Sequence, residues 1–562
     1  MRRATLRTAI IRGLMFGAGG VHLAAVGVLL MLHGRWIVVD TISLGQATLV
    51  LLGVGAGAVA VPRSNPVASA TRLTAGAVAG ATAGVVMVVL AILVMTLHPQ
   101  SIFIALTPAL LKMLTAGLGL GAGSALLVGG GLLAGLAGAA LRISPVAIRG
   151  TVIAGVVAVV IAGVFQELIQ LMLQYEGVIG AVRDALYTWE GLTPQGAVVI
   201  FVVVALAHQA WSAMGRRRTR PLDDRELRRQ RMLRAGIAVL VLALMPVLAG
   251  AYIGQVLMLV GLYILMGLGL NLEVGLAGLL DLGFVAFFAV GAYTTALVTA
   301  DNAHALLHLS FWAAMPLSVL LAIAVGVVFG LPVLGVRGDY LAVATMGLGE
   351  IVRVLVMSDF AAPLLGGAQG LLQIPKPRLG GLVLGSPVQL FYLTLIASAV
   401  AAFVAWRLEN SRLGRAWMAL RDDEDVAQAL GINLVRCKLL AYGLGAAFAG
   451  LAGSIFAVML TSVYPSSFQL LISINVLALI IVGGMGSLPG VVLGSIALIG
   501  LPELLREFGE YRYLFYGAAL IVMMQWRPEG LWPSEVRRRE LHAGEATAEL
   551  DEGVDLIPAE PR

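Results

Sequence analysis

Long apolar runs, separated by short segments that carry arginine, make up most of this 562-residue chain. A helix needs about 20 apolar residues to cross the hydrocarbon of a bilayer, because each backbone N–H and C=O there must be paired within the helix. Six such runs come before residue 215 and predict six spans. They cover approximately Leu14–Leu32, Ile42–Val61, Leu73–Leu97, Leu114–Leu141, Val152–Leu173 and Gly196–Trp211.

About ten more spans are predicted after an arginine-rich segment at 215–234. They begin near Ala235, Gln255, Gly283, Phe311, Tyr340, Pro387, Lys438, Phe468, Pro489 and Tyr513. The pattern predicts an all-α fold, a polytopic membrane helix bundle with about ten core spans preceded by about six extra spans. We divide the chain into a membrane extension (1–214), a basic linker (215–234), a membrane core (235–533) and a charged tail (534–562) that we expect to be disordered.

Composition excludes a soluble globular protein. Hydrophobic residues make up 59% of the chain and charged residues only 12%, whereas about a quarter of the residues in soluble domains are charged. The 69 glycines follow no triplet period, and some repeat every four residues, as at Gly76, Gly80 and Gly84. Such spacing, like the glycine-rich run Gly117–Gly123, predicts close contact between membrane helices.

Arginine positions predict the orientation of the bundle. Arg63 and Arg72 lie between the second and third spans, and Arg142 and Arg149 lie between the fourth and fifth. Positive residues collect in cytoplasmic loops, and six crossings place 215–234 on the same side. We therefore expect both termini in the cytoplasm and the linker against anionic membrane lipid. The net charge of +6 then reflects topology and does not indicate a nucleic-acid partner.

The largest polar loop of the core, 407–436, is predicted to lie on the cytoplasmic side. Arg415–Leu430 is predicted to form one helix that ends at Gly431, since glycine tolerates the left-handed conformation past a helix end. An apolar side (Trp417, Leu420, Val426) and an acidic side fit a helix that docks on a partner protein; a solvated hairpin on the headgroups is the alternative. The candidate contact residues are Arg415, Ala416, Trp417, Ala419, Leu420, Asp422, Asp423, Glu424, Asp425, Ala427, Gly431 and Ile432.

This loop resembles the coupling region of ATP-binding-cassette importer permeases for branched-chain amino acids, of the LivM type. Further stretches resemble that family in the same order, so the resemblance covers roughly residues 250–533. They are Gly267–Gly283, Ala286–Thr294, Arg337–Ala342 with Gly347–Arg353, Gly483–Gly490, and the ending Leu501–Arg512 with Trp526–Pro533.

The resemblance implies a ten-helix permease in a bacterial plasma (inner) membrane, with a coupling helix between the sixth and seventh core spans. It also implies a homologous second permease of the LivH type, two ATP-binding subunits and an extracytoplasmic substrate-binding protein. Asp281 and Phe284 stand where the family usually has a small polar residue and a histidine. The six-span extension is also longer than is typical of the family.

The sequence does not predict a nucleotide site in this chain. A phosphate-binding loop needs a Gly-Lys-Ser/Thr step, and none of Lys112, Lys376 and Lys438 follows a glycine. We therefore expect no cofactor, with ATP bound by partner subunits, and no enzymatic activity in the chain. A metal site is not expected either, since Asp301, His304 and His308 make only a partial ligand set.

Ionisable or strongly polar residues within or beside spans are the candidates for a translocation path. They are Asn271, Glu273, Asp281, Glu350 and Arg353. Glu350 and Arg353 are three residues apart and can pair on one helix face. The alternative for each is a structural cap or ion pair near the membrane boundary.

These observations favour a permease subunit of an ATP-driven importer for branched-chain or related small amino acids. An ion-coupled secondary transporter would have similar broken helices and midplane charges, but it has no need of an acidic coupling helix. The sequence does not distinguish an amino-acid permease from a urea or short-amide permease of the same class. An intramembrane enzyme would need a nucleophile–base or metal constellation, and the sequence suggests none.

Overall fold

Within the described residues of the computed structural model, eleven helices are long and apolar enough to cross a membrane. The structure describes residues 2–61, 69–97, 99–173, 178–217, 224–301, 305–336, 338–509, 511–527 and 529–534. The chain divides into two compact units, Met1–Met232 and Leu233–Arg562. It is a multi-pass helical membrane protein, as the hydrophobic pattern predicts.

The first unit contains ten helices among its described residues. They are α1 (Arg2–Ala25), α2 (Val28–His33), α3 (Leu44–Ala60), α4 (Ser69–Leu97), α5 (Pro108–Leu114), α6 (Gly119–Ile143), α7 (Val146–Val164), α8 (Gln166–Met172), α9 (Val178–Leu186) and α10 (Pro194–Arg217). Each of the six predicted spans overlaps one of the apolar helices α1, α3, α4, α6, α7 and α10.

Glycines bring α4 and α6 into backbone contact, as their spacing predicts. A Cβ added to Gly76 would lie only 2.7 Å from the Gly135 carbonyl oxygen. One added to Gly84 would lie 2.9 Å from the Val128 Cα. No larger residue fits at such a crossing. Most of the run Gly117–Gly123 was predicted wrongly as a packing face: Gly117, in the turn before α6, and Gly119 and Gly121, in its first turn, have no neighbour within 4 Å, whereas Gly123 packs against Thr115.

The second unit begins within α11 (Asp224–Leu270), which continues as a π-helical turn at Asn271–Leu276. The helices that follow are α12 (Val285–Thr299), α13 (Phe311–Val333), α14 (Asp339–Met357), α15 (Ala362–Leu365), α16 (Pro387–Glu409), α17 (Arg412–Asp422), α18 (Glu424–Ala429), α19 (Leu434–Leu460), α20 (Leu470–Gly483), α21 (Leu488–Ser495), α22 (Leu501–Leu504) and α23 (Tyr511–Trp526). A second π-helical turn, Ile496–Gly500, joins α21 to α22.

The first two core spans that the sequence predicts are joined without a loop. The spans expected near Ala235 and Gln255 both lie in α11, and the break between them is a kink at Gly250 (φ 84°, ψ −178°). Pro246 lies one turn earlier, where its ring cannot fit a regular helix and it has no N–H to donate. The chain therefore bends here without forming a loop.

Helix α19 is the centre of the second unit and is buried along most of its length. Gly291 and Gly453 let α12 and α19 approach closely: a Cβ added to Gly291 would lie 2.5 Å from the Gly450 Cα, and one added to Gly453 would lie 2.8 Å from the Ala292 N. On the other side of α12, the hydroxyls of Thr295 and Ser318 are 2.8 Å apart and join it to α13. The tight contact of three helices makes this region the rigid core of the unit.

Short strands, which the hydrophobic pattern does not predict, lie between the helices. In the first unit β1 (Trp36–Val38), β2 (Ile42–Ser43), β3 (Tyr187–Thr188) and β4 (Gly191–Leu192) form a sheet in the order β2-β1-β4-β3. In the second, β5 (Leu371–Leu372) pairs with β8 (Ser462–Val463), and β6 (Arg378–Leu379) pairs with β7 (Leu382–Val383). Lys376 Nζ donates to the carbonyls of Val458 and Met459, both at 2.9 Å, and burial lowers the pKa of this ammonium.

Candidate functional site

The loop between α16 and α19 folds as two short helices, so the prediction of one helix from Arg415 to Leu430 was wrong. The break is at Asp423, whose backbone is extended (φ −158°, ψ 117°). Its carboxylate accepts hydrogen bonds from the N–H groups of Asp425 and Val426, at 2.8 and 2.9 Å, and so caps α18. Gly431 has a φ of 84°, as predicted for the residue just past the end of the helix. We refer to residues 412–431 as the loop hairpin.

Buried side chains fix the loop hairpin to α19. Trp417 is fully buried and its Nε1 donates to the Cys437 carbonyl at 2.9 Å. Glu424 forms an ion pair of 2.6 Å with Lys438, whose side chain is only 4% exposed. An ion pair this far from water resists breaking, because the partner left behind would be an unpaired buried charge. The hairpin therefore moves together with α19.

Arg421 connects the loop hairpin to the π-helical turn of the membrane core. Its Nη1 donates to the Gly275 carbonyl at 3.0 Å. Its Cα lies 3.1 Å from the Cβ position of Gly278, which has a φ of 72° and no room for a side chain. A displacement of α17 would reach the helix break at Asn271–Leu276 through this contact.

The exposed side of the loop hairpin is partly apolar. Leu420 is buried as predicted, but Val426 is 55% exposed and the small Ala427 is buried in its place. The predicted apolar side was wrong for Val426 because the break at Asp423 changes the helical phase. Of the remaining candidates, Arg415, Asp422, Asp423, Asp425 and Gly431 are exposed, while Ala416, Ala419, Glu424 and Ile432 are half-buried.

Asn271, Glu273 and Asp281 lie buried around the π-helical turn. The Asn271 Oδ1 accepts a hydrogen bond from Gly486 N at 2.9 Å, and the Asp281 Oδ1 accepts one from Gly283 N at 2.7 Å. Glu273 is fully buried against Gly445 of α19, and neither of its carboxylate oxygens has a hydrogen-bond partner among the described residues. Asn271 therefore joins the π-helical turn to the segment before α21, and Asp281 binds the backbone just before α12, whereas Glu273 is held by packing.

Glu350 and Arg353 lie apart from that cluster, on the face of α14 that borders a cavity. The Arg353 Nε donates to both Glu350 carboxylate oxygens, at 3.0 and 2.9 Å. The cavity, of about 210 Å³, is lined by Leu282, Val285, Met346, Gly349, Glu350, Phe468 and Leu470. A smaller cavity beside it shares Val285, Gly349 and Phe468 and is also lined by Tyr293 and Arg353.

The backbone links these two groups of candidate residues without bringing them into one cavity. Leu282 N donates to the Thr345 hydroxyl at 3.0 Å, which holds α14 against the segment after Asp281. Sequence reasoning missed Phe468 and Tyr293 as cavity residues. Tyr293 stands within the motif 286–294, but the motif does not reveal which side of α12 faces a cavity.

Several predictions from the sequence lie outside the described residues: Arg63, His304, Arg337, residues 218–223 of the linker and residues 535–562 of the tail. Within the described part of the chain, no three His, Cys, Asp or Glu side chains are grouped so that they could hold a metal ion.

The region that contains the loop hairpin and the cavity is also the region that resembles a known protein family. The family model for "Branched-chain amino acid transport system / permease component" matches residues 252–524. The chain is 36% identical over 420 residues to the high-affinity branched-chain amino acid transport system permease protein LivM of Escherichia coli K12. The alignment covers 69% of this chain and 96% of the relative.

Two further relatives are more distant. A probable branched-chain amino acid transport permease protein LivM of Methanocaldococcus jannaschii is 22% identical over 245 residues, covering 40% of this chain and 68% of the relative. The E. coli permease protein LivH is 30% identical over 127 residues, covering 22% of this chain and 41% of the relative. No solved structure matches the chain.

Proposed function

This chain is a member of the branched-chain amino acid transport permease family, and we propose that it is the membrane subunit of an importer driven by ATP. The ATP is hydrolysed on separate subunits, so the chain itself carries no cofactor and no catalytic residue. It moves substrate by alternating access, in which its bundle opens to one side of the membrane at a time.

The loop hairpin is the observation that carries the coupling to ATP. It is fixed to α19 by Trp417 and by the ion pair of Glu424 with Lys438, and Arg421 extends from it to the π-helical turn. A force applied to its exposed side therefore reaches the membrane core without being absorbed by a flexible loop. Val426 and Leu430, both more than half exposed, provide apolar contact area for an ATP-binding subunit, and Asp422 and Asp425 border it.

Branched-chain or related small amino acids are the proposed substrates. The relatives that match most of their length are named as branched-chain amino acid permeases. A path for such molecules needs few polar groups, and we propose that it runs beside the broken helix at Asn271, Glu273 and Asp281 and past Glu350 and Arg353. An extracytoplasmic binding protein would select the substrate before it enters.

A second permease of the LivH type is the proposed partner within the membrane. The similarity of this chain to LivH relatives, at 30% identity, supports two related permeases of one fold that face each other. Two ATP-binding subunits would then dock on the two loop hairpins. We place the complex in the bacterial plasma membrane with both termini of this chain in the cytoplasm, on the basis of its arginine distribution.

Reconstitution tests the proposed function. Proteoliposomes would contain this chain with its cognate permease, ATP-binding subunits and binding protein, and the uptake of labelled leucine would be measured. We expect uptake that requires ATP on the side of the ATP-binding subunits. Uptake by this chain alone, driven by a sodium or proton gradient, would contradict the proposal and favour a secondary transporter.

A charge-reversal variant tests the docking surface directly. Asp422→Lys combined with Asp425→Lys changes two exposed carboxylates of the loop hairpin; it removes the 3.4 Å contact of Asp422 with Arg421 but leaves Trp417 and Glu424 in place. We propose that these acids face basic residues of the ATP-binding subunits, so we expect co-purification of those subunits to fall by about tenfold, because the lysines would place like charges across the interface. Asp359→Lys, at an exposed acid outside the hairpin, is the matched control and should not change it. Equal recovery of the ATP-binding subunits with both variants would argue against this surface.

A further inference from the structure

The cavity between α12, α14 and the start of α20 is lined by Glu350 and otherwise by apolar residues and Gly349, and Arg353, the partner of Glu350, lines the smaller cavity beside it. We propose that the larger cavity is a binding site for a zwitterionic aliphatic amino acid in transit, with Arg353 facing the carboxylate and Glu350 facing the ammonium group. The inference rests on the proposed function and adds to it the atoms that hold the substrate. It gives Glu350 and Arg353 a role distinct from that of Glu273 and Asp281, which are buried beside the π-helical turn.

The ion pair has the geometry of a site that a ligand can enter. Both charged groups stay accessible, with side chains 49% exposed for Glu350 and 29% for Arg353. The Arg353 Nε and Nη2 donate to Glu350, whereas Nη1 meets only the weak acceptor Met357 Sδ, at 3.8 Å. A guanidinium has five N–H donors, so this one keeps donors for a second carboxylate.

Charges in a membrane-spanning helix are costly, which argues against a purely structural role for a pair this exposed. Ionisable residues within spans almost always face a cavity or the interior of the bundle, where they mark a substrate pathway. A free amino acid carries one charge of each sign. It can therefore be bound by exchanging one internal ion pair for two external ones, with no change in net charge.

The other walls fit an aliphatic side chain. Val285 and Phe468 are almost fully buried, and Phe468 is held between the rings of Phe288 and Tyr293, at 5.5 and 5.7 Å between centroids. Leu282 and Leu470 complete the apolar lining. The cavity of about 210 Å³ is smaller than the roughly 300–1,000 Å³ of sites for drug-sized ligands, as a ligand of amino-acid size requires.

One unpaired hydroxyl supports a polar ligand. Tyr293 is 5% exposed and its hydroxyl has no hydrogen-bond partner among the described residues. A buried hydroxyl without a partner costs free energy. The smaller cavity that Tyr293 and Arg353 both line has a volume of about 10 Å³, about the space of one water molecule, so a water that accompanies the substrate can supply the missing hydrogen bond.

The test compares single substitutions with an exchange of the two charges. In the reconstituted complex, Glu350→Gln and Arg353→Gln should each lower ATP-driven leucine uptake by about tenfold or more, the effect of losing one hydrogen bond to a charged group. The exchange Glu350→Arg with Arg353→Glu keeps an ion pair but reverses its direction. We expect it to remain as inactive as the single variants, with co-purification of the ATP-binding subunits unchanged throughout.

Glu503→Gln and Arg506→Gln are the matched controls, since these residues form another pair at the same spacing, 3.8 Å apart, outside the cavity. They should leave uptake within about twofold of the wild type, as surface pairs contribute little. Recovery of uptake in the exchange variant would assign the pair a structural role and overturn the site alone, as would full uptake by the single variants. A wild type without any ATP-driven uptake would overturn the proposed function and the site with it.

Discussion

Glu273 depends on a glycine of the neighbouring helix for its position. Its carboxylate lies against Gly445, where a Cβ would meet the Glu273 Cδ and Cγ at 2.6 and 2.9 Å. Because the carboxylate is fully buried and lies beside Asp281, it has no free space into which it could rotate. Glycine is therefore needed at position 445 because there is no space for a side chain. Its backbone conformation is that of an ordinary helix and does not itself require glycine.

We predict that Gly445→Ala destabilises the protein. The added methyl must displace a buried carboxylate, and overpacking of this kind costs about 1–3 kcal/mol. Thermal denaturation of the detergent-solubilised protein would measure the loss. Gly443→Ala, on the same helix, is the control, because its Cβ would meet only the ends of Val327 and Ile323, at 3.3 and 3.6 Å. A similar melting temperature for the two variants would contradict this account of Glu273.

At the scale of elements, the two helices of the loop hairpin follow from local charge. Asp422 is the last residue of α17, where a negative charge interacts unfavourably with the helix dipole. Glu424 and Asp425 lie in the first turn of α18, where a negative charge interacts favourably with it. Asp423 then accepts the hydrogen bonds that a new helix start requires. A run of four acids is thus better accommodated by a break than by a continuous helix.

We predict that Lys438→Met loosens the hairpin and uncouples it from the core. It removes the ion pair that Lys438 forms with Glu424; because the Glu424 side chain is 20% exposed, we expect a loss of stability below the roughly 3–5 kcal/mol that breaking a fully buried pair costs. The rates of ATP hydrolysis and of leucine uptake would both be measured in the reconstituted complex. We expect hydrolysis to continue while uptake falls. Arg436→Gln, at an exposed position two residues earlier on α19, should change neither. Tight coupling retained in Lys438→Met would mean that Trp417 alone fixes the hairpin.

At the scale of the whole molecule, the chain consists of two units that each have a hydrophobic core. The family model matches only residues 252–524, but the E. coli LivM relative covers 69% of the chain. Similarity therefore extends beyond the segment that carries the hairpin and the cavity. The segment 215–234 remains our predicted boundary, because its arginines and acids cannot be buried in a membrane core.

We predict that trypsin cuts this chain first within 215–234, and only from the cytoplasmic side. In inverted membrane vesicles, brief digestion should give two fragments divided near Met232, both of which resist extraction by alkaline carbonate because each contains several spans. Right-side-out vesicles are the control and should protect the segment. Cleavage in the right-side-out vesicles would reverse the proposed orientation and place the loop hairpin outside the cell.

The sequence predicted correctly those features that depend only on neighbouring residues in the chain. Gly431 ends its helix with a positive φ, and Glu350 pairs with Arg353 three residues later. Where distant residues decide, the reasoning failed. The exposure of Val426 follows from a helix break, and the cavity role of Phe468 follows from a segment more than a hundred residues after α14.

By itself, the sequence determined the membrane class, the helical fold, the family and the position of the polar loop between α16 and α19, because each of these depends on local hydrophobicity, charge or motif. Only the tertiary structure decided that two helices form the hairpin, that Arg421 joins it to a helix break, and that Glu350 and Arg353 line adjoining cavities while Glu273 and Asp281 are buried beside the π-helical turn. These are contacts between segments far apart in the chain. They depend on which helix faces meet, and a periodic apolar pattern specifies that a face is buried without specifying its neighbour.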